Sequence, residues 1–474
     1  MMSKTPVIYW MRRDFRLADN AALRAACEGG HPVIPVFILD ELVEGHGAAP
    51  KWRLGLAVER FAETLKEAGS RLTLRRGAAL EVLRALVDET GAQAVHWNRL
   101  YDPDARRRDE AVKSALKDDG LDAVSHGGHV VFEPWRVETG AGGFYKVYSP
   151  FWRAVRGVEV PEPLAAPGKI PAPGTWPATD SLDDWQMGAA MRRGADVVRP
   201  HLLLGEDAAR DRLDMFTQER IAEYKAKRDF LDVNATSGLS EPLSYGEISA
   251  RTCWHAGWRE AETGAKGAEH FVKELIWRDF AYHLVYHTPH ITRDNWREGW
   301  DSFPWNEDER LKEVRDWKRG RTGLPVVDAA MREMYVTGRM HNRARMLVAS
   351  YLTKHLMTHW RVGQAWFEEC LVDWDPASNA MGWQWVAGSG PDAAPYFRIF
   401  NPETQAEKFD AEQEYRRKWV AELSDAPGEE ALSYFEAIPE NWHMAPDDAY
   451  PETPVVGLSE GRARALEAYE NRDF

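Results

Sequence analysis

Cysteine is scarce in this 474-residue chain, and the three present, Cys27, Cys253 and Cys370, are odd in number and far apart. They can build neither a disulfide framework nor a zinc ribbon, which makes a reducing cytoplasm the expected setting. No run of eighteen apolar residues occurs, and Met1-Met2-Ser3-Lys4-Thr5-Pro6 passes into a strand-like segment without a signal peptide's apolar stretch. No membrane partner is therefore expected. Glycine and proline, 36 and 27 residues, keep near their ordinary share, so collagen-like and low-complexity chains are excluded. The Gly-x-Gly-x-x-Gly that a dinucleotide site needs after its first strand is missing, and Arg12-Arg13-Asp14-Phe15-Arg16 stands there instead. His283 with His287, and His355 with His359, have the spacing of paired metal ligands on a helix, but neither pair has a metalloprotease Glu or a nearby Cys pair. No metal is expected from them.

What is present is ordinary in bulk: 44% hydrophobic and 28% charged residues suit a soluble globular protein of up to about three domains. The net charge of −15 argues against a nucleic-acid partner until its distribution is seen. Residues 421–474 hold 13 acids against 3 bases, whereas Leu311 to Arg361 holds 11 Lys or Arg against 4 acids, enough for a basic face. Of 21 Trp, 14 lie from Gly238 onward, a density that points beyond packing to aromatic ligands or electron transfer.

The first 130 residues alternate strand candidates (Val7 to Met11, Val33 to Leu39, Leu72 to Arg75, Ala94 to Trp97, and a weaker one near Val130) with amphipathic helical stretches. This pattern predicts a doubly wound α/β domain with a parallel sheet, whose ligands bind beyond the carboxyl ends of the strands. Six prolines between Val160 and Asp180 mark an extended connector, and from about Pro200 long helical patterns take over, among them Asp207 to Lys227, Gly267 to His287 and Asn342 to Trp360. The expected organisation is an α/β domain over 1–132, a linker over 133–199, and an all-α domain with an acidic tail over 200–474.

Glu274, Trp277 and Arg278 share one helical face beside apolar neighbours, where an acid can be a proton donor or simply pair with Arg278. Thr236-Ser237-Gly238-Leu239-Ser240 has the composition of a phosphate-holding loop. Ser244-Tyr245-Gly246-Glu247 reads as a capping box, and Pro325 as the first residue of a helix. Two strings are far more specific: Asp373-Trp374-Asp375-Pro376-Ala377-Ser378-Asn379-Ala380-Met381-Gly382-Trp383-Gln384-Trp385, and Pro391 through Pro402. With Trp10 to Asn20, Glu274 to Arg278 and Gly338 to Met346, they resemble the flavin-binding core of the cryptochrome/photolyase family. The resemblance runs through nearly the whole chain in order and is closest to the cyclobutane pyrimidine dimer photolyases of class I or class III.

That resemblance implies a carbon–carbon lyase that uses light to split cyclobutane pyrimidine dimers in DNA, a monomer of the cytoplasm, and in a bacterium associated with the nucleoid. FAD, working as FADH−, would lie with Tyr224 and Thr236, Ser237, Gly238, Leu239 and Ser240 around its phosphates. Arg278, Arg345, Asp373 and Asp375 would lie near its pyrophosphate, ribose and isoalloxazine, and Asn379 would face the flavin N5. Phe271 and Arg339 stand at the pocket's edge where many class I members have Trp. The flipped-out lesion would meet Glu274, kept protonated by dry surroundings, together with Trp277, Asn342, Met346 and Trp385. Arg228, Arg343 and Arg398 match positions near the DNA backbone, and Trp383, Trp360 and Trp305 match an electron relay to the surface. Relatives specialised for the (6-4) photoproduct place His where this chain has Asn342 and Met346. Ala105 replaces the Glu of folate-binding members, and Phe37 to Asp40 look closer to deazaflavin-binding or antenna-free relatives, which leaves deazaflavin, methenyltetrahydrofolate or no antenna open. The alternative on the same scaffold is a cryptochrome-type blue-light signalling flavoprotein. Such receptors commonly append a long tail and lose lesion-contacting residues, and neither applies here.

Overall fold

Strand β1 (Val7–Met11) carries no charged side chain, as a strand covered on both faces requires. Its residues Val7, Tyr9 and Met11 join one apolar cluster with Val33, Phe37 and Leu39 of β2 (Val33–Leu39), while Ile8 and Trp10 join another with Val36 and Ile38. With β3 (Thr73–Arg76), β4 (Ala94–Asn98) and β5 (Asp122–His126) these strands form a parallel sheet in the order β3-β2-β1-β4-β5. The computed structural model describes residues 4–393 and 397–472, so 394–396 of the second family string lie outside the described residues. No described helix is long and apolar enough to cross a membrane.

The fifth strand is not near Val130, because an edge strand needs little apolar material: Ala123 is the one buried residue of β5. The Val130 segment instead lies against the Ala268–His287 helix, where the N–H groups of Val131 and Phe132 both donate to Asp279 at 2.8 Å. Burial pushes the Asp279 carboxyl up to about 7, against the pull of those two backbone donors.

Residues 133–199 contain a helix, Tyr148–Val155, whose Phe151 packs on Phe280 with ring centroids 5.3 Å apart. The proline-rich stretch after it is docked along the sheet, with Asp19 N–H donating to Leu164 O at 2.7 Å and Val33 N–H to Pro171 O at 2.8 Å. The Asp207 to Lys227 pattern divides into helices Glu206–Glu219 and Tyr224–Lys227. The Asn342 to Trp360 pattern becomes the helix Asn342–Ser350, a π-helical turn Tyr351–His355 and a break, after which Trp360–Cys370 starts anew. Pro325 does open the helix Pro325–Thr337. Ser244 to Glu247 form no capping box: Ser244 sits inside the helix Ser240–Tyr245, which Gly246 ends at φ 65°. A side chain at Gly246 would collide with the Arg13 carbonyl, so glycine is required both by its φ and by the contact.

The Trp10 to Asn20 string forms a buried clamp. Arg12 pairs with Asp109 at 2.9 Å, Arg13 with Asp102 at 2.9 Å, and Arg16 donates to the carbonyls of Asp19, Gly128 and Gly246, the last from the helical part. Beside Arg13, Asn98 and His129 this clamp leaves a cavity of about 10 Å³, room for one water.

Candidate active site

Asp375 starts the Pro376–Ala387 helix by accepting the Ser378 N–H at 2.8 Å, and its other oxygen accepts the Tyr282 hydroxyl at 2.6 Å. Two residues earlier, Asp373 takes Arg345 on both carboxylate oxygens, at 2.9 and 2.7 Å. One turn into the helix the Asn379 amide donates to the Asp375 carbonyl at 3.1 Å, which fixes its orientation in a nearly buried position. Arg278 is 3.8 Å from Asp375, but its donors are taken by the His129 carbonyl (2.7 Å) and ring (2.9 Å), so it ties this corner to the α/β domain. Tyr224 and Phe271 are buried together against Phe216.

The loop from Thr236 to Ser240 turns at Gly238 (φ 65°), and there Arg212 and Arg339 supply what the sequence pattern did not reveal. A Cβ at Gly238 would lie 3.2 Å from Arg212 Nη1, and the Nε groups of both arginines are buried with no acceptor. Burial, then the like charges of Arg339 and Arg220, lower the Arg212 pKa, with Glu241 alone opposing. Arg339 also gives its Nη2 to the His201 carbonyl and Glu241, but the two free Nε donors and Arg212 beside a glycine turn suit a diphosphate, so the residues present fit FAD at its phosphate end. Arg212 carries no signal of its own in the sequence, because its approach to Arg339 is a long-range contact.

On the neighbouring face, Trp277 stacks on Tyr148 with ring centroids 3.7 Å apart and planes 11° from parallel. The Tyr148 backbone hydrogen-bonds the Asp392 carboxylate, and the Asp392 carbonyl accepts the Trp385 indole N–H at 3.0 Å. The two indoles are thus joined through Asp392, from the second family string, and Tyr148, which carries no sequence signal. Asn342 is exposed at the start of its helix, and Met346 follows one turn on against the core. Glu274 departs from expectation. Its surroundings are not dry and its partner is not Arg278: the side chain is 30% exposed and forms an ion pair with Arg228, with His270 Nε2 3.5 Å away. Arg278 is unavailable because His129 holds it.

The basic segment is largely committed within the fold. Arg332 and Lys354 are buried, Arg345 holds Asp373, and Arg343 pairs with Asp229 at 2.9 Å. Arg228 is likewise taken by Glu274, while Arg398 lies over the Trp385 and Phe400 rings at 5.7 and 5.9 Å. Trp383 packs on Gly363, where a Cβ would run into its ring, and Trp360 lies one turn before Gly363 on the same helix. The His359 ring touches Trp360 (5.3 Å) and Trp305 (5.1 Å), placing an imidazole between the two outer indoles. His283 and His287 both face the Pro134 carbonyl.

Residues 7–168 match the family model described as DNA photolyase, and residues 271–471 match that described as the FAD binding domain of DNA photolyase. The chain is 44% identical to a deoxyribodipyrimidine photo-lyase of Agrobacterium fabrum, over 99% of this chain and 98% of the relative. Its fold matches the crystal structure of a bacterial class III photolyase from Agrobacterium tumefaciens with a TM-score of 0.90 at 42% identity, covering 99% of this chain and 98% of that one. It also matches a Synechocystis cryptochrome with a TM-score of 0.84 at 26% identity, covering 99% and 100%. A sheet domain clamped to a helical cradle for FAD, matched over nearly full length, places this chain in the DNA photolyase family.

Proposed function

We propose that this chain is a light-driven deoxyribodipyrimidine photo-lyase that restores cyclobutane pyrimidine dimers in DNA, acting as a monomer. The observation that carries the reading is the pair of indoles, Trp277 and Trp385, held through Tyr148 and Asp392 beside the Asn342–Ser350 helix and the FAD cradle. Bound FAD in its reduced form supplies the photoexcited electron that splits the cyclobutane ring. The chain's own work is then recognition and positioning. Trp277 and Trp385 offer aromatic faces to a dimer that has left the stack, and Met346 offers a polarizable wall. The Asn342 amide, exposed at its helix start, donates to a pyrimidine carbonyl. Glu274, ordered by Arg228, presents a carboxylate oxygen to an imide N–H. Arg345 with Asp373, Asn379, and Arg212 with Arg339 hold the cofactor's two ends. The class III neighbour at 42% identity supports the second of the two class assignments.

Measuring both ultraviolet lesions side by side tests this. Illumination is expected to remove cyclobutane dimers from single-stranded oligonucleotides and to leave the (6-4) product, whose repair needs proton transfer that neither Asn342 nor Met346 can perform. Glu274→Ala should lower the yield per photon severalfold with a smaller loss in binding. Restoration of the (6-4) product at a comparable rate, or no dimer repair with fully reduced cofactor, rejects the assignment. The same assay separates a repair enzyme from a signalling flavoprotein.

A DNA face also predicts salt dependence. With about three to five phosphate contacts, log affinity should fall against log salt with a slope of roughly −3 to −4. A flat response would speak against DNA as the partner.

A further inference from the structure

Arg228 and Arg343, the two arginines read as facing the DNA backbone, are each bound to a carboxylate of this same chain. Arg228 holds Glu274, and Arg343 holds Asp229, the residue next to Arg228. The Arg343 side chain is only 15% exposed, its guanidinium lies 4.6 Å over the Phe409 ring, and its Nε is buried without an acceptor. Asp229 is the more exposed partner at 39%, so the acid meets solvent more than the cation does. The pair reaches solvent through its acid, where screening weakens what an ion pair adds to stability, and holding the fold together is therefore a weak reason for it.

We propose that Asp229 is a specificity-determining residue, an internal counter-ion that occupies Arg343 and so suppresses binding to DNA that carries no lesion. The inference rests on the reading that Arg343 faces the DNA backbone. A free arginine that meets a phosphate releases a mobile counter-ion to solvent, and that release drives non-specific binding. Where a fixed carboxylate already sits on the guanidinium, a phosphate must displace it or share the donors, and the carboxylate itself repels the phosphate. The sequence-independent part of the affinity falls. The contacts that only a flipped dimer can make, on Trp277, Trp385 and Asn342, are untouched, so the ratio of specific to non-specific binding rises. The chain's net charge of −15 acts in the same direction.

The test is the affinity of the FAD-loaded protein for one single-stranded oligonucleotide, undamaged or carrying a single cyclobutane dimer, measured over a range of salt. Asp229→Asn is expected to bind the undamaged strand about three- to tenfold tighter at low salt, with the slope steeper by roughly one. Affinity for the damaged strand should change less, narrowing the discrimination. Asp229→Glu, which restores the carboxylate, should return both toward wild type. Arg343→Gln provides the separate control: it should weaken binding to both strands and flatten the slope. If Arg343→Gln weakens binding but Asp229→Asn leaves undamaged binding unchanged or weaker, the counter-ion role is overturned. If Arg343→Gln changes neither affinity nor slope, the DNA-facing reading of Arg343 fails, and the role of Asp229 falls with it.

Discussion

Arg53→Met is expected to cost about 3–5 kcal/mol of stability, the usual consequence of stripping a buried pair of its cation. Arg53 is fully buried and spans two carboxylates that are buried as well, donating from Nε to Glu241 at 2.5 Å and from Nη2 to Glu247 at 2.5 Å, and to the Leu203 carbonyl at 2.6 Å. Burial raises the Glu247 pKa and Arg53 opposes it, so without the guanidinium Glu247 must either shed its charge or reach water. The sign of the pH dependence follows. In the variant the folded-state Glu247 carboxyl holds a proton that the unfolded chain would release, so stability is best retained in acid and is lost as pH rises through the raised folded-state pKa. Glu241 also takes Arg339 at 2.9 Å, so the variant should in addition retain FAD poorly. Denaturant midpoints at about pH 5.5 and pH 8, with FAD fluorescence as a second readout, measure both effects. A midpoint within error of wild type at the higher pH would refute the account.

Strands β1 and β2 were legible because each is an uninterrupted apolar run, the pattern of a strand covered on both faces, while β3 and β4 carry polar residues and were legible as short β-branched or aromatic segments between helical stretches. The edge strand β5 and the break between the Asn342–Ser350 and Trp360–Cys370 helices were not, since both are set by tertiary packing more than by local propensity. The same division runs through the active site. Glu274, Trp277, Asn342, Met346 and Trp385 are visible as a set through the family strings. Their supports Tyr148, Arg212 and Asp229 come from distant segments and have no local signature. Glu274 shows why: helical spacing offers Arg278 as its partner, yet Arg278 is spent on His129, and Arg228 from another helix fills the place. The Arg-rich segment misled in a related way. Its bases outnumber its acids along the chain, but Arg332, Arg343 and Arg345 find their acids elsewhere, at Glu422, Asp229 and Asp373.

Trp360→Phe is expected to slow blue-light reduction of the bound, oxidised cofactor at least tenfold in the presence of a thiol, on the order of the loss from removing one hop of a three-step relay. Trp383 rests on Gly363, Trp360 lies one turn away with its N–H donated to Asn295 at 2.7 Å, and Trp305, half-buried with its N–H on the Thr353 carbonyl at 2.8 Å, is the outermost. Phenylalanine preserves the bulk of the core but is much harder to oxidise than an indole, so it interrupts the path while leaving the packing nearly intact. His359, between the two outer rings, has its pKa pushed down to about 4 by burial and by Arg361. At neutral pH it therefore adds no positive charge that would oppose an oxidised indole on either side. Losing the bond to Asn295 should cost about 1–3 kcal/mol, so FAD content must be matched before rates are compared. Trp419→Phe, a change at an equally buried indole outside the proposed path, serves as the control and should photoreduce normally. Dimer repair by chemically reduced Trp360→Phe should equal wild type, because the relay loads the cofactor and takes no part in splitting the lesion. An unchanged photoreduction rate in Trp360→Phe, or an equal loss in Trp419→Phe, would remove Trp360 from the path.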